Sequence, residues 1–170
     1  MKPDLTLLEG VVAPVVLDAM RSASAALTAL GIRHVVVGGL AVGANGHPRA
    51  TRDVDFLVGD EAFEIRGGGF VTMKPGVPIQ INRVPIDLLS AEPGEDHLAA
   101  SLSATPGSSI DAPRLVYMKL KAGRLRDRGD IADLVNAGVD IDACRGYLAT
   151  NAAEYLTDFE AIVAKAVTED

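Results

Sequence analysis

The chain has 170 residues, 48% of them hydrophobic, with 16 Lys and Arg against 23 Asp and Glu and a formal net charge of -7. A chain of this length buries about two thirds of its unfolded surface, so it is expected to fold without a structural metal. The single cysteine, Cys144, excludes an internal disulfide or a thiolate zinc site. The acidity argues against a surface that grips nucleic acid throughout and leaves only a local basic patch for that purpose.

The cysteine usage fits a reducing cytosol, so a cytoplasmic location is expected. Lys2 is the only cation before Asp4 and Glu9, and the apolar run Val11 to Leu17 is interrupted by Pro14, too short for a signal peptide. No stretch approaches the roughly 20 apolar residues of a membrane span.

After Pro14, apolar residues recur at helical spacing through Val15, Val16, Met20, Ala23, Ala26, Leu27 and Leu30, and Gly31 supplies a stop. The period then changes. Ile32 to Val37 is short and β-branched and runs into Gly38-Gly39, which predicts a strand breaking into a turn, with a short helix over Leu40 to Asn45. Gly46, His47 and Pro48 end that helix, and Arg49 to Arg52 lead into a second strand, Asp53 to Val58.

The triple glycine Gly67 to Gly69 marks a turn before Phe70 to Met73. Val77 to Ile81 and Val84 to Leu89 read as a β-hairpin, with Asn82-Arg83 as its two-residue loop. The stretch Ser90 to Ser109 carries only a weak helical pattern, at Asp96 to Leu102. From Pro113 the pattern is helical to the end, broken near Gly138 and near Thr150-Asn151, where Asn151 is placed to cap a final helix. The order predicts an α/β or α+β domain, residues 1–170, with a small mixed sheet flanked by helices at about 32–90 and a helical tail at about 113–170.

Asp53 and Asp55 are two apart in a strand, so their carboxylates project from one face. Such a pair repels unless a cation or shared proton neutralises it, and hard divalent ions such as magnesium prefer oxygen ligands. Asp87 supplies a third acid, flanked by Ile86 and Leu88, which point to the buried face; Asp60 and Glu64 stay open as alternatives. Gly38 and Gly39 lie where a strand opens into a helix, which leaves backbone N–H groups free for phosphate. Acids for metal beside a phosphate cradle are the parts that phosphoryl or nucleotidyl transfer requires.

Other readings of the acid pair fit less well. An EF-hand loop started at Asp53 puts Val58 where glycine is needed. A haloacid dehalogenase phosphatase places its acids after an apolar strand, whereas Arg-Ala-Thr-Arg precedes them here. A P-loop kinase needs GxxxxGK[ST], which is absent. His34 is expected along a strand, His47 in the turn near the site, and Cys144 as a buried small hydrophobe. Arg124, Arg126 and Arg128 are surface cations or contacts to an acidic substrate such as RNA.

The run Val35 to Val58, VVVGGLAVGANGHPRATRDVDFLV, resembles the signature of the nucleotidyltransferase superfamily related to DNA polymerase β, with a Gly-Gly turn followed by Arg49, Thr51, Asp53 and Asp55. The stretch Tyr117 to Val135, YMKLKAGRLRDRGDIADLV, is similar to a helical segment of the AbiEii-like nucleotidyltransferases of toxin–antitoxin pairs. Many members of the superfamily carry Gly-Ser at the turn; Gly39 follows the Gly-Gly form usual in the AbiEii-like branch.

The resemblance implies an NTP substrate held by Gly38, Gly39, Arg49, Thr51, Lys119, Asp127 and Asp130. It implies two magnesium ions, with manganese as an alternative, on Asp53, Asp55 and Asp87, and Asp87 activating the acceptor hydroxyl. Residues 119, 123, 126, 127 and 130 also fall on one side of a single helix. The acceptor is left open among a small molecule, tRNA and protein, and a cognate toxin or antitoxin is an implied partner. A non-catalytic nucleotide-binding partner of the same fold and an antibiotic nucleotidyltransferase are the alternatives.

Overall fold

The computed structural model describes residues 1–168 and shows a mixed α+β chain. A 3₁₀ turn, Leu5–Leu8, precedes α1 (Pro14–Ala29), β1 (His34–Val37), α2 (Gly38–Ala44) and β2 (Val54–Val58). A second 3₁₀ turn, Asp60–Ala62, leads to β3 (Phe63–Arg66), β4 (Phe70–Met73), β5 (Gln80–Ile81) and β6 (Val84–Ser90). The remainder is helical: α3 (Asp96–Ala99), a 3₁₀ turn at Ala100–Ser103, α4 (Ala112–Ala122), α5 (Leu125–Asn136), α6 (Ile141–Asn151), a 3₁₀ turn at Ala153–Tyr155 and α7 (Leu156–Thr168). Among the described residues no helix is long and apolar enough to cross a membrane.

The main sheet has the order β1-β2-β6-β5. β2 runs antiparallel to β1 and parallel to β6, and β5 is antiparallel to β6, so the sheet is mixed. Alternation along the strands divides its side chains between two cores. Val36, Val54, Phe56, Val58, Val84 and Ile86 pack with Val16, Leu17, Met20, Ala23 and Leu27 of α1. On the other face Val35, Val37 and Leu57 pack with Leu115, Ile131, Leu134, Leu148 and Phe159 of the helical tail. Both faces of β1 are covered, and all four of its residues are buried. Its outer edge is covered as well, because Val36 exchanges backbone bonds with Ser108 and Ile110 at 2.8 and 2.9 Å, which leaves no open ladder there.

Local chemistry accounts for most element boundaries. Pro14 opens α1 at a position that needs no N–H donor. Asp111 caps α4 by accepting from the Arg114 N–H at 3.0 Å. Asn82 and Arg83 both have positive φ, 49° and 65°, the type I′ geometry that matches the twist of a two-residue hairpin.

Several sequence expectations are corrected. The helix predicted from Pro113 to Gly138 is two helices, because Gly123 turns left-handed (φ 66°) and ends α4 at Ala122. Asn151 does not cap the last helix; it closes α6, and its side-chain amide donates to the Tyr147 carbonyl at 2.9 Å. Phe63–Arg66 is a strand absent from the sequence reading, and it pairs with β4 in a separate two-stranded ribbon. The hairpin arm is shorter than Val77 to Ile81, since only Gln80–Ile81 is strand, although the Ile79 carbonyl still accepts from the Ile86 N–H at 2.9 Å. β1 begins at His34 rather than Ile32, α2 at Gly38 rather than Leu40, and β2 at Val54, which leaves Asp53 just ahead of its strand.

Candidate active site

Parallel pairing of β2 with β6 sets Asp55 directly beside Asp87, and Asp53 precedes the strand by one residue. Carboxylate oxygens from all three lie within 4.8 Å of one another. Their strand neighbours Val54 and Ile86 are buried on the opposite face, so the core anchors the backbone that presents the acids. Asp53 and Asp87 are exposed, whereas Asp55 is partly buried. Burial, followed by the charges of Asp53 and Asp87, pushes the Asp55 carboxyl up to about 6 against the opposing pull of Lys119 and Arg124. Asp60 and Glu64 stand apart from this cluster: Asp60 lies in the 3₁₀ turn after β2, and Glu64 on β3 pairs with Arg66 at 2.7 Å.

β1 ends at Val37, opposite Asp55, and the chain turns at once into α2 through Gly38. Gly38 has φ 65°, and a Cβ there would sit 2.1 Å from Asp55 Oδ2. Only glycine satisfies both the backbone and the close approach. We expect Gly38→Ala to cost about 1–3 kcal/mol of stability in denaturant unfolding, from left-handed strain and the clash. We also expect it to weaken any ligand of Asp55 by roughly tenfold in calorimetry, as about 1.4 kcal/mol of displaced contact would. Gly39 faces a milder limit, since its Cβ would meet Thr51 Cγ2 and Oγ1 at 3.2 Å. Thr51 is buried there and donates to the Arg49 carbonyl at 3.2 Å.

Behind the acids runs a chain of alternating charge. Arg49 Nη2 donates to both oxygens of Asp130, at 2.8 and 3.1 Å. Lys119 Nζ donates to Asp130 Oδ2 at 2.6 Å and to Asp127 Oδ1 at 3.1 Å. Arg124 Nε reaches Asp127 Oδ2 at 2.7 Å. The side chains of Asp127 and Asp130 are only 1% and 3% exposed, so each carboxylate depends on its cations. Burial works to raise the Asp127 carboxyl, but the hydrogen bonds from Arg124 and Lys119 outweigh it and hold the group below its ordinary value.

The residues that the sequence placed on one helix face are therefore drawn from two helices. Lys119 comes from the end of α4, and Asp127 and Asp130 come from the start of α5 across the Gly123 turn. Of the three arginines expected as surface or substrate cations, Arg124 and Arg126 line the cleft, whereas Arg128 pairs with Asp158 at 3.2 Å. The signal for Arg124 was Asp127 three residues on, whose carboxylate accepts from the Arg124 N–H at 3.2 Å as at a helix start. Leu89 and Met118 were not singled out and line the cleft too. Away from it, Cys144 is buried and burial pushes its thiol up to about 12, the behaviour of a small hydrophobe.

The cleft holds about 300 Å³ and is lined by Gly38, Gly39, Arg49, Thr51, Lys119 and all three acids, among others. It joins an acidic pole, which draws cations, to a pole with backbone N–H groups and guanidinium donors, which draws oxyanions. Arg49 Nε is buried without a hydrogen-bond partner among the described residues. The acid trio fits a hard divalent ion, whose charge would offset both the burial and the neighbouring charges that raise Asp55.

No protein-family model matches the chain, and no curated protein matches it. Among solved structures it is similar to an antigenic nucleotidyltransferase-like protein from Paracoccidioides brasiliensis, at 14% identity and a TM-score of 0.47, over 91% of this chain and 94% of that one.

Proposed function

We propose that the chain is a magnesium-dependent nucleotidyltransferase of the kind related to DNA polymerase β, in the AbiEii-like branch, which moves a nucleoside monophosphate from an NTP to an acceptor hydroxyl. The observation that carries this reading is the convergence of Asp53, Asp55 and Asp87 at one end of a cleft whose other end is the Gly38-Gly39 turn. A divalent ion held by the three carboxylates supplies charge neutralisation to the phosphate oxygens. Gly38 and Gly39 let the triphosphate approach the backbone closely, while Arg49 and Lys119 offer it donors and Thr51 holds the Arg49 backbone beside them. Asp127 and Asp130 hold Lys119 and Arg49 in place.

Asp87 lies on β6, with β2 between it and the glycine turn, and there it takes the proton of the incoming hydroxyl. The acceptor oxygen bonds to the α-phosphorus, the bond from that phosphorus to the bridging oxygen breaks, and pyrophosphate leaves with the electron pair. The arrangement asks little covalent chemistry of the protein, which supplies position and charge. A role within a toxin–antitoxin pair belongs to the same proposal, supported by the similarity of Tyr117 to Val135 to that branch.

Incubating the purified chain with each labelled NTP and magnesium, and measuring nucleotide binding and pyrophosphate release, tests this. We expect binding to one or more NTPs that Asp53→Ala abolishes. Binding without pyrophosphate release from any acceptor would select a non-catalytic nucleotide-binding protein, and no binding at millimolar NTP would reject the reading.

A further inference from the structure

Beside the acid cleft lies a recess of about 290 Å³, separated from it by Leu89, Met118 and Ala122, which line both. Its origin is the strand period. Asp55 and Asp87 pair across β2 and β6, and the next residues on the same face, Leu57 and Leu89, pair one step further along. The metal-ligating pair thus passes into an apolar pair about 7 Å away at two residues per step. Leu98 and Met118 add to that apolar surface.

The rim is acidic. Glu92 stands on it with Glu95 buried behind, and Lys121, the one cation in its lining, donates to both, at 2.8 and 2.9 Å. None of the cleft cations Arg49, Lys119, Arg124 and Arg126 lines the recess.

We propose that this recess is the acceptor subsite. The acceptor is a small hydroxyl-bearing molecule with an apolar body that is neutral or cationic, not a nucleic acid. The inference rests on the nucleotidyl-transfer reading, because it places the reacting hydroxyl at Asp87 and the body of the acceptor over Leu89. A polyphosphate chain entering from this side meets the exposed carboxylates of Asp87 and Glu92, with a single cation already shared between Glu92 and the buried Glu95. Like charges so juxtaposed are repulsive. Cleft and recess each sit at the lower end of the roughly 300–1,000 Å³ range of small-molecule sites.

Three probes of one shape and different charge test the assignment: benzyl alcohol, 4-(aminomethyl)benzyl alcohol and 4-(hydroxymethyl)benzoate. Their binding to the intact chain with magnesium is read by saturation-transfer NMR titration, and Mg²⁺·ATP binding is read in parallel by calorimetry. The alcohol and the amine are expected to bind, and the benzoate to bind at least about fivefold more weakly.

Glu92→Lys, at an exposed rim position, is expected to erase that preference. Ser90→Trp, at an exposed position at the end of β6 that lines the recess and not the cleft, fills the recess and weakens all three probes by about tenfold or more, with Mg²⁺·ATP binding kept within about twofold. Equal binding of the benzoate in the parent chain, or alcohol binding unaltered by both substitutions, overturns the assignment. So does a short RNA with a free 3′-hydroxyl that displaces benzyl alcohol. ATP binding with no alcohol binding overturns the subsite alone, whereas alcohol binding with no ATP binding overturns the transfer reading on which it rests.

Discussion

Replacing Asp55 by Asn is expected to lower turnover by about 10²–10³-fold or more and, in metal-free buffer, to raise the melting temperature. The loss follows from removing one of three charges that stabilise the reacting phosphate. The gain follows from Asp55 itself, whose carboxyl is pushed up to about 6 by burial and by Asp53 and Asp87. An unfolded aspartate titrates near 3.8, so the folded state binds the proton more tightly. That contribution to stability is complete below the unfolded value and is lost as pH rises through about 6.

At pH 7 the ionised Asp55 therefore opposes folding by about 1–2 kcal/mol after allowance for its partial exposure. Asn should recover that amount, and for a chain of this size the melting temperature should rise by roughly 2–4 °C per kcal/mol. The difference between variant and parent should shrink as pH falls from about 6 towards 4. Glu61 works oppositely: its hydrogen bond from Arg33 holds it at about 2, so its contribution is lost only as pH falls well below 4.5. Millimolar magnesium should reverse the order of the two proteins, because the ion stabilises only the chain that binds it. Equal melting temperatures at pH 7 without metal would show that neither burial nor the charges of Asp53 and Asp87 strain the ionised Asp55.

Lys119→Met is the second large effect. Nζ is shared between Asp127 and Asp130, and methionine leaves two nearly inaccessible carboxylates short of a cation. Breaking one side of a buried charge network costs about 3–5 kcal/mol, which denaturant unfolding at pH 7 reads directly. Adding Asp130→Asn should restore a substantial part of it, since the charge left without its lysine is then removed. A loss under about 1 kcal/mol would mean that water reaches these carboxylates and that the network does not set the position of α5.

The glycine turn and the first two acids were legible because each depends on a local rule: a strand ending in paired glycines, and alternation that sends residues two apart to one face. Asp87 was legible through its apolar neighbours Ile86 and Leu88. Its pairing with Asp55 was not, because a parallel ladder between β2 and β6 leaves no local pattern when the β3–β4 ribbon and β5 intervene.

The α4–α5 break escaped for a related reason. Lys119, Asp127 and Asp130 satisfy helical spacing, and a single glycine is a weak signal against it, yet the same residues meet across a turn. Arg49 and Asp130 are 81 residues apart in sequence, and only the tertiary fold brings them together. β3 was hidden because Phe-Glu-Ile-Arg is short and its alternation leaves Ile65 exposed.

Anomalous diffraction from crystals soaked in manganese with a non-hydrolysable NTP analogue tests the acid centre most directly. A peak bounded by the carboxylates of Asp53, Asp55 and Asp87, with the analogue's phosphates towards Gly38 and Gly39, is the result predicted. Phosphates bound elsewhere on the chain, or manganese at a site that omits these three aspartates, would contradict it.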